Sequence, residues 1–159
     1  MRVVVADTGP LHYLVLIGEA DLPHRLFGRV IIPDTVQAKL RHPCAPALVR
    51  EWIASRPSWV DAMPAGPVEQ LPLPSLGAGE RAVIALAELH QTDLILIDDR
   101  AGTIAARGRG LAAVGTLGLL DLAGRQGLVD VGHAVARLKA TNFRIRREIL
   151  DALLAKHLD

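Results

Sequence analysis

Leu94-Ile95-Leu96-Ile97-Asp98-Asp99-Arg100 decides the fold. Four aliphatic residues in a row, with no polar residue between them, are the pattern of a strand covered on both faces, as in a parallel sheet. The run breaks into two carboxylates, so those acids stand at the strand's carboxyl end. Upstream, Glu80 to His90 reads as a helix with Ala82, Val83, Ala85, Leu86 and Leu89 as its apolar stripe. Downstream, Ala101 to Arg107 reads as a helix and Ala113-Val114 as a short strand. Strands alternating with helices imply parallel pairing and right-handed crossovers.

The amino-terminal half repeats this alternation. Val3 to Ala6 is a β-branched run that predicts a buried strand, followed by a turn at Asp7-Thr8-Gly9-Pro10, with Pro10 in the first turn of a helix that Leu11 to Ile17 continue. A short helix over Asp21 to Phe27 is closed by Gly28, and a second strand, Val30 to Ile32, stops at Pro33. Helices are expected over Asp34 to Leu40 and Ala47 to Ser55, then a third strand within Ser58 to Met63. Pro64 to Pro74 holds four prolines and reads as a surface connector, because neither side of it makes a complete domain. Thr116 is placed to cap a helix from Leu117 to Arg125. Two further helices, about Gly132 to Thr141 and Arg146 to His157, are expected to be appended to one α/β domain spanning residues 1–159.

Bulk composition excludes several classes of function. Half of the residues are hydrophobic, which argues against disorder. Eighteen basic against seventeen acidic residues leave a net charge of +1, so a polyanion partner would have to be met by local clustering. The one cysteine, Cys44, cannot form an internal disulfide or a structural zinc site. No apolar stretch approaches the roughly 20 residues that cross a bilayer, and the charged start of the first strand is unlike a signal peptide. The expectation is a cytoplasmic protein with no membrane role. No Gly-x-Gly-x-x-Gly follows the first strand and no phosphate-binding Gly-x-x-x-x-Gly-Lys-Ser/Thr loop is present.

Ligands of open parallel sheets bind beyond the carboxyl ends of the strands. Asp7 follows the first strand there, Asp98 and Asp99 follow another, and Glu80 stands in the first turn of the helix that leads into it. Taken singly, Glu80 could answer the helix dipole and Asp7 could serve a turn. Together, crowded anions repel unless a cation joins them. Oxygen-only donors select hard divalent ions such as Mg²⁺ or Mn²⁺, which activate water and stabilise charge on a phosphoryl group.

Three stretches, Asp7-Thr8-Gly9-Pro10-Leu11, Leu76-Gly77-Ala78-Gly79-Glu80-Arg81-Ala82-Val83 and Leu94 to Arg100, resemble the PIN-domain family in order and spacing. Gly115-Thr116-Leu117-Gly118 and Gly127-Leu128-Val129 are similar to a prokaryotic subgroup related to the VapC-type toxins. The resemblance implies a PIN-like three-layer α/β/α fold and a Mg²⁺- or Mn²⁺-dependent ribonuclease. It also implies RNA as substrate, a homodimer and an antitoxin partner. Carried over by position, Asp7 matches the first acidic residue and Glu80 the third. The fourth is Asp98 or Asp99, and alignment on Arg100 favours Asp99. Thr8 matches the small hydroxyl after the first aspartate, and Thr8 with Arg100 would contact substrate.

One position departs from the pattern. The family places a glutamate six residues after the proline of the second strand, and that position is Lys39. Asp34 lies five residues earlier on another helical face and cannot take its place. Lys39 would therefore modulate the site by pairing with its carboxylates and competing with a metal. The alternative reading is a catalytically impaired PIN-fold protein that binds RNA or a protein partner. Trp52 and Trp59 are expected to pack rather than stack on bases, and none of the six histidines has a zinc-site partner. Lys139, Arg144, Arg146 and Arg147 form one basic cluster, either a solvated helix face or a contact for RNA or an acidic antitoxin segment.

Overall fold

A computed structural model describes residues 2–66 and 76–157. Five strands, β1 (Arg2–Ala6), β2 (Gly28–Pro33), β3 (Val60–Met63), β4 (Leu94–Leu96) and β5 (Ala112–Val114), form one sheet in the order β3-β2-β1-β4-β5. Every pairing is parallel, with Val5 opposite Ile31 on one side and Ile95 on the other. Val4, Val5, Ile95 and Leu96 are completely buried, as unbroken aliphatic runs require of strands covered on both faces.

Nine helices surround the sheet among the described residues. They are α1 (Thr8–Leu16), α2 (Leu22–Phe27), α3 (Asp34–Arg41), α4 (Ala47–Ala54), α5 (Ala78–Leu89), α6 (Arg100–Gly108), α7 (Thr116–Arg125), α8 (Val131–Lys139) and α9 (Arg147–Lys156). Helices α1, α3 and α4 pack on one another, α7 packs on α1 and α2, and α5 lies against β1, β2 and β4. The result is a three-layer α/β/α arrangement, as the sequence pattern predicts. Leu138 of α8 and Leu150 and Leu153 of α9 are buried in the same apolar core.

Chain order explains where a ligand can sit. From β1 the chain proceeds to β2 on one side, whereas β4, the other neighbour of β1, proceeds away to β5. The connections after β1 and β4 thus leave in opposite directions and open a crevice beyond their carboxyl ends. The Asp7 backbone N–H donates to the Leu96 carbonyl at 2.8 Å, fixing the two strand ends side by side.

Local differences from the sequence pattern have physical causes. Helix α1 begins at Thr8, so Thr8 and Gly9 join Pro10 in the first helical turn instead of forming a separate turn before it. A proline in a first helical turn loses no hydrogen bond, because N–H groups there have no partner within the helix. Thr116 is the first residue of α7 and Gly115 its N-cap; the threonine hydroxyl bonds to Asp98 instead of capping the helix. Leu14 and Ile17 lie inside the core and are closed to any partner chain. Trp59 stacks on His24 at 5.1 Å between ring centres and lies 6.3 Å from Trp52, so both tryptophans pack internally. The proline-rich connector lies outside the described residues from 67 onward.

Candidate active site

Asp7 stands at the N-cap position of α1, 7% exposed, at the crevice floor. Burial pushes its carboxyl from 3.8 up to about 6, while the Thr8 backbone N–H pulls the other way. The charges of Glu80 and Asp99 raise it further and that of Lys39 lowers it. Three elements thus deliver charge to one buried carboxylate: α5 brings Glu80, the end of β4 brings Asp99, and α3 brings Lys39.

Glycines make this crowding sterically allowed. A Cβ at Gly77 would lie 2.6 Å from Glu80 Oε2, so the bend before α5 leaves room for the glutamate to fold back. At Gly102 a Cβ would meet Ile97 Cδ1 at 2.6 Å, with Asp99 Oδ2 at 3.3 Å and Glu80 Cγ at 3.4 Å. Glu80 and Asp99 therefore converge on the first turn of α6. A Cβ at Gly79 would collide with the Lys39 ammonium, which reaches over the start of α5. Among the described residues that ammonium makes no ion pair within 4.0 Å.

Asp98 and Asp99 divide their tasks. Asp99 caps α6, its Oδ2 accepting the Gly102 N–H at 2.7 Å. Asp98 turns towards α7: Oδ1 accepts the Thr116 N–H and Oδ2 accepts the Thr116 hydroxyl, both at 2.7 Å. Burial raises the Asp98 carboxyl and the two Thr116 bonds oppose the rise. A Cβ at Gly9 would approach Asp98 Oδ2 at 3.2 Å, so Asp98 bridges the starts of α1 and α7. Of these two aspartates, Asp99 is the one whose charge bears on Asp7.

Thr8 Oγ1 is buried and finds no hydrogen-bond partner among the described residues. Arg100, at the start of α6, is exposed and lines a cleft of about 970 Å³ beside Asp98 and Asp99. The carboxy-terminal basic cluster is split: Arg144 and Arg146 line this cleft, whereas Lys139 and Arg147 line another hollow. Asp34 is exposed beside a third hollow with Thr35 and Arg81, away from Asp7.

Sequence reasoning missed Thr116 and Gly102 as partners of the two aspartates, and Tyr13 and Asn142 in the cleft. The signal for Gly102 was the spacing Asp99-x-x-Gly102, the geometry of an N-cap. Tyr13 donates to Asn142 Oδ1 across 129 residues of chain, for which the sequence carries no local signal.

The donor chemistry suits a hard divalent ion: every candidate donor is oxygen, and a buried carboxylate is pressed by two more. Against the expectation of a gathered set, no three His, Cys, Asp or Glu side chains among the described residues are grouped closely enough to hold one metal ion. Mg²⁺ takes one or two carboxylates and keeps several waters, so a pair drawn from Asp7, Glu80 and Asp99 meets its needs.

Residues 3–158 match the family model described as a PIN domain. The chain belongs to the PIN-domain family, whose members are in general metal-using nucleases. No curated protein and no solved structure matches the chain. No helix among the described residues is long and apolar enough to cross a membrane.

Proposed function

We propose that this chain is a Mg²⁺- or Mn²⁺-dependent endoribonuclease of the cytoplasm, the toxin of a toxin–antitoxin pair, acting as a single domain over residues 1–159. The observation that carries this reading is the placement of Asp7, a carboxylate buried at the switch point of the sheet, with Glu80 and Asp99 converging beside it. Asp7, Glu80 and Asp99 are assigned as the catalytic carboxylates, a pair of them holding the metal directly. Asp98, both of whose oxygens are held by Thr116, is assigned as a ligand secondary to Asp99.

A divalent ion here supplies an activated water and stabilises charge developing on the phosphoryl group. The protein's own groups position the substrate. Thr8 is assigned as a substrate contact, its hydroxyl lying beside Asp7, buried and without a partner among the described residues. Arg100 offers a planar guanidinium for bidentate phosphate contact. Capping of α6 holds Asp99 in place before any ligand arrives.

A second reading, a weakened enzyme that acts by binding RNA or a protein partner, is favoured by Lys39, whose positive charge already eases the repulsion around Asp7. A homodimer is proposed through the early helices, where half-buried Leu16 and exposed Leu48 offer apolar surface to a second copy. Sedimentation showing only monomer at micromolar concentration would remove the dimer. A pool of structured RNAs incubated with Mg²⁺, Mn²⁺ or EDTA tests the activity. Cleavage with metal and none in EDTA supports the nuclease; no cleavage under any condition leaves the binding reading.

A further inference from the structure

We infer that the Lys39 ammonium takes the place of a second metal ion, so that this chain's site holds one divalent ion and not two. The inference rests on the metal-dependent reading above and goes past it to the number of ions and to what Lys39 does in place of the other.

Donor geometry points to a single ion. No three His, Cys, Asp or Glu side chains among the described residues are grouped closely enough to hold one metal ion. The chain therefore offers a pair of carboxylates, and a pair with water ligands serves one Mg²⁺ or Mn²⁺. Asp98 does not extend the pair, because Thr116 holds both of its oxygens. Where a further acid could have come in, α3 brings Lys39 instead. Lys39 is exposed, yet its ammonium lies against Gly79, the residue before Glu80, and its Cε is 3.4 Å from where a Cβ on Gly79 would stand. Only a residue without a side chain admits the ammonium there. Among the described residues it forms no ion pair within 4.0 Å, so it is not the partner of one acid and acts on the group.

Charge balance agrees. Asp7, Glu80 and Asp99 bring three negative charges to bear on one another, and Lys39 sets one positive charge among them. Two negative charges remain, which one divalent ion neutralises. A glutamate at position 39 would make four, which calls for two ions. Crowded carboxylates attract positive charge until their repulsion is relieved. A second ion would also stand near a fixed ammonium, and a divalent charge repels it roughly twice as strongly as a single charge at the same distance. Sites with two ions clamp the attacking and the leaving oxygen between them. An ammonium stabilises charge on the phosphoryl group but does not activate water. Lys39 is thus a working cation of a one-ion site.

Mn²⁺ binding, followed by the electron paramagnetic resonance of the free ion, tests this without RNA or catalysis. Each protein is compared with the same protein carrying Asp7→Asn, and only ions that depend on Asp7 are counted. The natural protein should bind one such ion per chain, and Lys39→Glu should bind two. Gly79→Ala moves the ammonium without changing the charge of the chain, and its new methyl meets only the far end of a lysine, so the fold is kept. It should still bind one ion, about fivefold more tightly, the upper effect of taking an exposed charge from its neighbours. Circular dichroism confirms that each variant is folded. Two ions in the natural protein, one in folded Lys39→Glu, or unchanged affinity in Gly79→Ala would overturn the inference and leave a metal-dependent nuclease standing. No Asp7-dependent ion in the natural protein would overturn both.

Discussion

Replacing Asp7 by asparagine should make the metal-free protein more stable, and only above the acid range. The carboxyl lies at about 6 in the fold against 3.8 in the open chain. The folded protein therefore holds its proton more tightly, and stability falls as pH rises from about 4 through about 6. Above that the penalty is constant. The difference of about 2.2 pH units corresponds to about 3 kcal/mol at neutral pH. Asparagine keeps the shape and an acceptor oxygen for the Thr8 N–H but gives a weaker bond than a carboxylate, which offsets about 1 kcal/mol. The net expected gain is about 2 kcal/mol, or roughly 4–8 °C for a chain of this size. Urea denaturation of both proteins in EDTA at about pH 4 and about pH 7.5 measures it, with a small difference at the lower pH and the full one at the higher. An Asp7→Asn protein no more stable at the higher pH, or equally stabilised at both, would refute the buried-charge account.

Two further perturbations follow from the same geometry. Lys39→Glu removes a cation and adds an anion next to Asp7, so calorimetric titration should show tighter Mg²⁺ binding and the cleavage assay a faster rate; equal affinity and rate would take Lys39 out of the site. Thr116→Val keeps the side-chain shape but strips the hydroxyl from Asp98 Oδ2, leaving a carboxylate oxygen short of a donor. A loss of about 1–3 kcal/mol on urea denaturation is expected at neutral pH, and unchanged stability would show that this bond does not hold the α1–α7 junction.

The cores of β1, β2 and β4 were legible because each is an unbroken aliphatic run, a pattern that burial on both faces demands and helices rarely show. That legibility carried over to the acids: a residue that follows such a strand has its edge of the sheet decided by chain direction alone. Asp7, Asp98 and Asp99 were placed at one edge for that reason, and Glu80 because it opens the helix that runs back to the start of β4. The division between Asp98 and Asp99 was not legible, since it depends on Thr116, eighteen residues downstream, claiming both oxygens of Asp98. The basic cluster near the carboxyl end was legible as a cluster only. Its split between two hollows is set by the irregular backbone of residues 143–146, where neither helical nor strand periodicity assigns a face. Lys39 could be assigned to the site region by its distance from Pro33, but its reach past Gly79 required coordinates.

Metal-dependent RNA cleavage by the natural protein and by Asp7→Asn, compared at equal concentration after the circular dichroism of both confirms the fold, tests the central claim most directly. The amide keeps the shape and removes the ligand charge, so loss would be chemical rather than structural. The natural protein should cut RNA with Mg²⁺ or Mn²⁺ and the variant should not. Undiminished cleavage by a well-folded Asp7→Asn protein would contradict the account.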